Sequence, residues 1–193
     1  MRKRVRTAIF ISGRGSNMQS LVAAAQTPDY PAEIVLVVSN NPQAGGLAFA
    51  QEHGIATASF DHKAYKSRAE FEAAIQAVLT AHNIELIALA GFMRLLTAEF
   101  VNAWSGRMIN IHPALLPAYK GLHTHERALN DGAREHGCTV HFVVPAMDEG
   151  EIILQRAVPV LAGDTPETLA ARVLVEEHIA YPEALAMVAA SLV

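Results

Sequence analysis

Asn110 and His112 stand two residues apart in Met108-Ile-Asn-Ile-His-Pro-Ala-Leu-Leu-Pro117, a run that begins as an apolar strand and stops at proline. Residues i and i+2 of a strand leave the same face, so the carboxamide and the imidazole point to one side. Asparagine offers a neutral donor to an oxygen that gains charge, and histidine exchanges protons near neutrality. The pair suits acyl transfer through an oxyanion; the plainer reading is a satisfied polar pair at a strand end. Asp148, in Pro145-Ala-Met-Asp-Glu-Gly150, is the candidate third member, a carboxylate able to orient and hold an imidazolium. It also reads as an ordinary turn residue before glycine.

Ser12-Gly-Arg-Gly-Ser-Asn17 joins a strand-like run to a helix-like one. Glycines let the backbone approach a ligand, and the free N–H groups of a helix start favour an anion. The dinucleotide fingerprint fails, because position 18 is Met and the next strand ends in Ser39-Asn40 without a ribose-binding carboxylate. No Gly-Lys-Ser/Thr follows, so a triphosphate loop is excluded too. Two readings stay open: a monophosphate held by Gly15, Ser16 and Asn17, or a plain turn with Ser16 as helix cap.

The histidines raise a metal reading, with His123 and His125 as two ligands and His112 as a third. No carboxylate or cysteine stands at a familiar ligand spacing there, and Gly121-Leu122 reads as a loop entering a helix, so no metal is expected. His53, His62, His82, His136 and His178 read as surface or helix-end residues. His141 alternates with Val140 and Phe142 and is expected to point towards the site.

These residues need a scaffold. Thr7–Ile11, Ile34–Val38, Thr57–Phe60, Leu86–Ala90 and Met108–His112 read as strands, mostly continuous apolar runs of the kind buried on both faces of a parallel sheet. Between them, Asn17–Gln26, Ala44–Glu52 and Ser67–His82 read as helices. The last carries Phe71, Ala74, Ile75, Val78 and Leu79 at helical spacing. Cys138–Val144 and Ile152–Val160 are separated only by a turn and are expected to pair antiparallel. Thr165-Pro166-Glu167 opens a final helix, with a capping residue before proline. The expectation is an α/β fold: a doubly wound, mostly parallel Rossmann-like sheet flanked by helices, with an antiparallel strand pair near the C-terminus. Such sheets bind ligands beyond the carboxyl ends of their strands, where the glycine loop, Gly91-Phe-Met-Arg94 and Asn110-Ile-His112 all fall.

The 193 residues, 51% hydrophobic and 18% charged, fit a single domain over 1–193 with a sizeable core. A net charge of −4 argues against a nucleic-acid partner, which needs a basic face. No apolar run approaches the roughly 18 residues of a spanning helix, so no membrane is expected. The basic start Met1–Arg6 is followed by too short an apolar stretch to act as a secretion signal. The single cysteine, Cys138, fits a reducing cytoplasm and reads as a small strand residue.

Ile11-Ser-Gly-Arg-Gly-Ser-Asn17, Leu89-Ala-Gly-Phe-Met-Arg94, Asn110-Ile-His-Pro-Ala-Leu-Leu-Pro117, Gly121-Leu-His-Thr-His125 and Gly137-Cys-Thr-Val-His141, taken in order, resemble the phosphoribosylglycinamide formyltransferase family of folate-dependent enzymes. The resemblance spans almost the whole chain. It implies that Asn110, His112 and Asp148 are catalytic, and that Gly15, Ser16 and Asn17 bind the phosphate of glycinamide ribonucleotide. Glu177 would lie near that substrate's amine or ribose. The co-substrate, 10-formyltetrahydrofolate, would lie along Met93, Arg94, Leu95, Leu96, Asn110 and the loop holding Val144 and Met147, with Arg68 nearby. Without the resemblance, Met93 and the leucines read as core packing. It further implies a cytoplasmic enzyme of purine synthesis, monomer or homodimer, with small molecules as its only partners. Arg14, Ala114 and Glu149 depart from the usual pattern. A formyltetrahydrofolate hydrolase would share the triad with water in place of the amine. A non-catalytic phosphate-binding module would leave the triad without a task. An enzyme acting on methionyl-tRNA would need a basic surface run that the sequence lacks.

Overall fold

A computed structural model describes residues 3–193, so Met1 and Arg2 of the basic start lie outside the described residues. The element order is β1 (Val5–Ile11), α1 (Ser16–Ala25), β2 (Ala32–Ser39), α2 (Gly45–Glu52), β3 (Ala56–Ser59), α3 (Arg68–Ala81), β4 (Leu86–Leu89), α4 (Ala98–Ala103), β5 (Met108–His112), α5 (Thr124–Asn130), β6 (Glu135–Phe142), β7 (Ile152–Pro159) and α6 (Pro166–Ser191). The strands make one seven-stranded sheet in the order β3-β2-β1-β4-β5-β6-β7. β1 to β5 run parallel, β6 is antiparallel to β5, and β7 is antiparallel to β6. The expected α/β class holds. Two features were not read from the sequence: the short helix α4 and the antiparallel seam between β5 and β6.

The continuous apolar runs are explained by cover on both sheet faces. Ile9, Ile11, Val37, Ala88, Ile109 and Ile111 pack on one side with Leu21 and Val22 of α1 and Val173, Tyr181 and Leu185 of α6. Ala8, Phe10, Leu36, Val38, Ile87, Leu89 and Met108 pack on the other with Phe71, Ile75 and Leu79 of α3 and Phe100 of α4. Helix α6 starts as its sequence demands, with the Thr165 hydroxyl accepting from Thr168 N–H in a capping box and Pro166 at the first turn. The buried Tyr181 hydroxyl donates to the Leu89 carbonyl at 2.7 Å, tying α6 to the sheet beside the strand ends that matter below.

The strand order reverses between β1 and β4, whose following loops leave in opposite directions. Ser12 joins the segments gathered at this point. Its hydroxyl bonds the Asn40 side chain after β2 and accepts from Met93 N–H after β4 at 2.8 Å. Phe92 is fixed edge-on to Phe10, with ring centroids 5.3 Å apart. The glycine loop and Gly91–Arg94 are therefore held as one rim.

Candidate active site

β5 determines the first part of the site by alternation. Ile109 and Ile111 belong to the α1/α6 core, and Met108 to the α3/α4 core. Asn110 and His112 share the face of Met108 and follow it towards the carboxyl end. The loop between β6 and β7 supplies the carboxylate. β6 leaves β5 at the pairing Ile109–Phe142, and the chain returns into β7 opposite His141. A Cβ on Gly150 would fall 1.6 Å from the Phe142 carbonyl oxygen, so only glycine permits this close return. The excursion places Asp148 Oδ2 3.5 Å from His112 Nδ1 and Asp148 Oδ1 3.7 Å from His141 Nε2.

His112 Nε2 lies 2.8 Å from the carbonyl oxygen of Tyr119, so that nitrogen carries a proton and donates. Nδ1 is the edge that faces Asp148. The 3.5 Å gap exceeds a direct charge-assisted hydrogen bond of about 2.7–2.9 Å, leaving this edge available for proton exchange. Asp148 is itself anchored, because its Oδ2 accepts from Gly121 N–H at 2.9 Å.

His141 settles the orientation of Asn110. Its Nδ1 lies 2.9 Å from the Phe142 carbonyl and must donate there. Burial pushes its pKa down, opposed by the Phe142 carbonyl and Asp148, so the neutral ring presents Nε2 as an acceptor. Asn110 Nδ2 sits 3.3 Å away and donates one of its two N–H groups to it. The second N–H remains for a ligand oxygen. His141 was expected only to point towards the site; its part in setting the amide was not legible.

The glycine loop is open to an anion. Gly15 caps α1 at φ 72° with no side-chain cap hydrogen bond, so Ser16 is not the capping residue of the plain-turn reading. Asn17 donates through Nδ2 to Glu177 Oε2 at 2.8 Å, while its Oδ1 is buried without a partner. Burial raises the pKa of Glu177, with the Asn17 bond pulling the other way. The uncapped helix start and the Asn17–Glu177 pair thus join α1 to α6 at the sheet's carboxyl edge.

Met93 and Leu95 are 65% and 60% exposed, and Val144 and Met147 are exposed as well, so these are not core residues. Leu96 is half-buried against the α3/α4 core. Arg94 is exposed, and Arg68 is exposed in the first turn of α3. No contact links Arg68 to the triad. Large apolar side chains left in water beside polar donors fit a flat heteroaromatic ligand. A groove of about 530 Å³ lined by Glu72, Gln76, Trp104 and Arg107 lies between α3 and α4 and shares no residue with this site.

His136 corrects the sequence reading. It is buried on β6, not at the surface, because β6 lies between β5 and β7 and its residues 136 to 141 are buried on both faces. Its Nε2 lies 3.1 Å from His125 Nδ1, and burial, then His125 and His112, lower its pKa to about 4. His123 caps α5 in the left-handed region, exposed. Among the described residues, no three His, Cys, Asp or Glu side chains gather to hold a metal. Burial pushes the Cys138 thiol up to about 12, which removes it as a nucleophile. No helix among the described residues is long and apolar enough to cross a membrane.

Residues 5–185 match the formyl transferase family. The chain belongs to that family. The phosphoribosylglycinamide formyltransferase of Escherichia coli (strain K12) is 43% identical over 174 residues, covering 91% of this chain and 82% of that one. A crystal structure of the phosphoribosylglycinamide formyltransferase of Brucella melitensis superposes with a TM-score of 0.94 at 55% identity, covering 97% of each chain. The human trifunctional purine biosynthetic protein adenosine-3 is 48% identical over 192 residues, all of this chain but 19% of the human protein. The chain therefore spans about a fifth of the length of such multifunctional relatives. The antiparallel β5-β6-β7 edge on an otherwise parallel sheet belongs to the same α/β architecture.

Proposed function

We propose that the chain transfers the formyl group of 10-formyltetrahydrofolate to the amine of glycinamide ribonucleotide, giving formylglycinamide ribonucleotide and tetrahydrofolate in purine synthesis. The observation that carries this is the joint placement of the free Asn110 N–H, the Nδ1 edge of His112 and the Asp148 carboxylate at one strand end. Similarity to the named formyltransferases supports it over 91–97% of the chain.

The uncapped start of α1 fits the substrate phosphate through Gly15, Ser16 and Asn17, since a helix N-terminus offers unpaired N–H groups. Glu177, held by Asn17, is poised to receive the ribose or the amine. The exposed Met93, Leu95, Val144 and Met147, with Leu96 behind them, fit the faces of the pteridine. Arg68 and Arg94 offer charge to the folate's carboxylates. In the reaction, the amine nitrogen adds to the formyl carbon and the carbonyl π pair moves to oxygen. Asn110 donates its free N–H to that oxyanion, a contribution of about 2.7–4 kcal/mol for such donors. The free Nδ1 of His112 takes the proton lost by the attacking nitrogen. The imidazolium so formed, opposite Asp148, adds positive charge beside the oxyanion and gives that proton to the folate nitrogen. The bond between carbon and that nitrogen then breaks. No metal and no covalent enzyme intermediate enter these steps.

In this reading, residues 1–193 act as one domain. Its first half binds the phosphorylated substrate, and its second half supplies the catalytic loop and folate wall. The enzyme works in the cytoplasm on two small molecules, as monomer or homodimer. The test is a spectrophotometric assay of tetrahydrofolate release from 10-formyltetrahydrofolate, with and without glycinamide ribonucleotide. Release only with the amine is expected. Equal release without it would identify a hydrolase, and no release in either case would leave a binding module.

A further inference from the structure

Arg127 of α5 touches neither His112 nor Asp148, yet its guanidinium is built into the segment that grips both. Nη1 donates to the carbonyl oxygens of Lys120 at 2.6 Å and Leu122 at 3.2 Å. The guanidinium carbon lies 5.5 Å from the centroid of the Tyr119 ring. The Lys120 carbonyl and the Gly121 N–H belong to one planar peptide group. That N–H donates to Asp148 Oδ2. A cation therefore sits on the oxygen end of this amide and a carboxylate on its nitrogen end. Each charge polarises the amide in the sense that strengthens the other's hydrogen bond, and together they fix the plane.

The segment needs such restraint. Tyr119, Gly121 and His123 adopt φ of 55°, 80° and 56°. For non-glycine residues this left-handed region costs roughly 1–2 kcal/mol each, and it persists only where surrounding contacts over-determine it. The Lys120 ammonium is directed away to Glu149 at 3.0 Å, so Arg127 holds these carbonyls without competition from it. The Tyr119 ring is also braced edge-on by His136, with centroids 5.9 Å apart.

We propose that Arg127 is a positioning residue for formyl transfer, acting on Asp148 through the Lys120–Gly121 peptide group and on His112 through the Tyr119 carbonyl. This rests on His112 and Asp148 being the catalytic partners. Arg127→Met removes the donors and keeps the stem; Arg127→Lys keeps the charge and one donor. The full chain is assayed for kcat and for KM of both substrates, and the Gly121 amide is followed by NMR. Arg127→Met lowers kcat on the order of tenfold or more, as small misplacements of catalytic groups do, with both KM values within about twofold. Arg127→Lys recovers most of that loss, and the Gly121 amide proton moves upfield in the Met variant only. In an Asp148→Asn background, Arg127→Met lowers kcat by a smaller factor than in the unaltered chain, because only the route through His112 remains and coupled residues are not additive. Unchanged kcat with an unmoved Gly121 amide overturns the proposal. So does a loss of equal size with and without Asp148, which would assign Arg127 to stability alone. If the unaltered chain forms no formylglycinamide ribonucleotide, the reaction assignment fails instead, and the Gly121 amide still decides whether Arg127 reaches Asp148.

Discussion

The imidazole Nε2 of His112 lies 2.8 Å from the carbonyl oxygen of Tyr119, a residue held at φ 55° seven positions along the chain. This contact fixes which nitrogen carries the permanent proton and turns the other towards Asp148. His112→Ala should therefore lower kcat by about 10²–10⁴, the range for loss of a general acid–base group. Binding of glycinamide ribonucleotide, measured by calorimetry, should change little, because the proposed phosphate site lies at the start of α1, away from His112. Loss of binding and turnover together would make His112 a structural residue.

Asn110→Ala removes the one N–H left free by His141. Turnover should fall by roughly 10²–10³, as for other single oxyanion donors, with KM nearly constant. His141→Ala frees the Asn110 amide to rotate and should produce a smaller fall of the same kind. Steady-state kinetics of both variants decide this. A rise in KM without a fall in kcat would contradict the oxyanion role.

Gly15→Ala places a Cβ 3.0 Å from Met18 Cε at φ 72°. Strain of roughly 1–2 kcal/mol is expected from the left-handed backbone alone. Thermal unfolding should detect it, and KM for glycinamide ribonucleotide should rise more than KM for the folate. An equal rise in both would place the loop outside the phosphate site.

Gly150→Ala meets the Phe142 carbonyl oxygen, a backbone atom that cannot swing aside. The loop carrying Asp148 must shift, at a cost of about 1–3 kcal/mol typical of overpacking. Both Tm and kcat should fall, and kcat should respond far less in an Asp148→Asn background. Retention of wild-type kcat would mean that the loop's return does not position Asp148.

His136 carries a pH signature. Its pKa is about 4 when folded, against an ordinary value of 6.5, chiefly because of burial. Between these values the unfolded chain binds the extra proton, so stability is full above pH 6.5 and declines as pH falls towards 4. His125 from α5, also lowered by burial, acts in the same direction. Glu177, raised by burial, acts oppositely over its own window, losing stability as pH rises. Chemical denaturation across this range should show the decline, and His136→Asn should flatten it. A variant with an unchanged slope would acquit His136.

Much of this protein was legible before any tertiary contact. The continuous apolar runs at Ile34–Val38 and Leu86–Ala90 implied a sheet covered on both faces, because such runs have no solvent side. The two-residue spacing of Asn110 and His112 placed both on one face, because strand periodicity is local. Thr165 and Pro166 marked a helix start through their own side chains. Helix α4 was missed because its six residues are too few to establish a period. Exposed Met93 and Leu95 cannot be told from core residues by type, since hydrophobicity does not state where a side chain points.

The sequence by itself determined the fold class and the residue types at the strand ends, because both follow from local periodicity and covalent spacing. Only the tertiary structure decided how those residues are joined. The Asp148 carboxylate reaches His112 because β6 runs antiparallel to β5 and Gly150 allows a close return. Asn110 presents a free N–H because neutral, buried His141 takes the other. His136 gained its place when β6 met α5. Arg127, whose own bonds are local, is linked to Asp148 only because Gly121 meets the loop between β6 and β7 on folding. Hydrogen bonds between residues far apart in the chain depend on distances that no local pattern encodes.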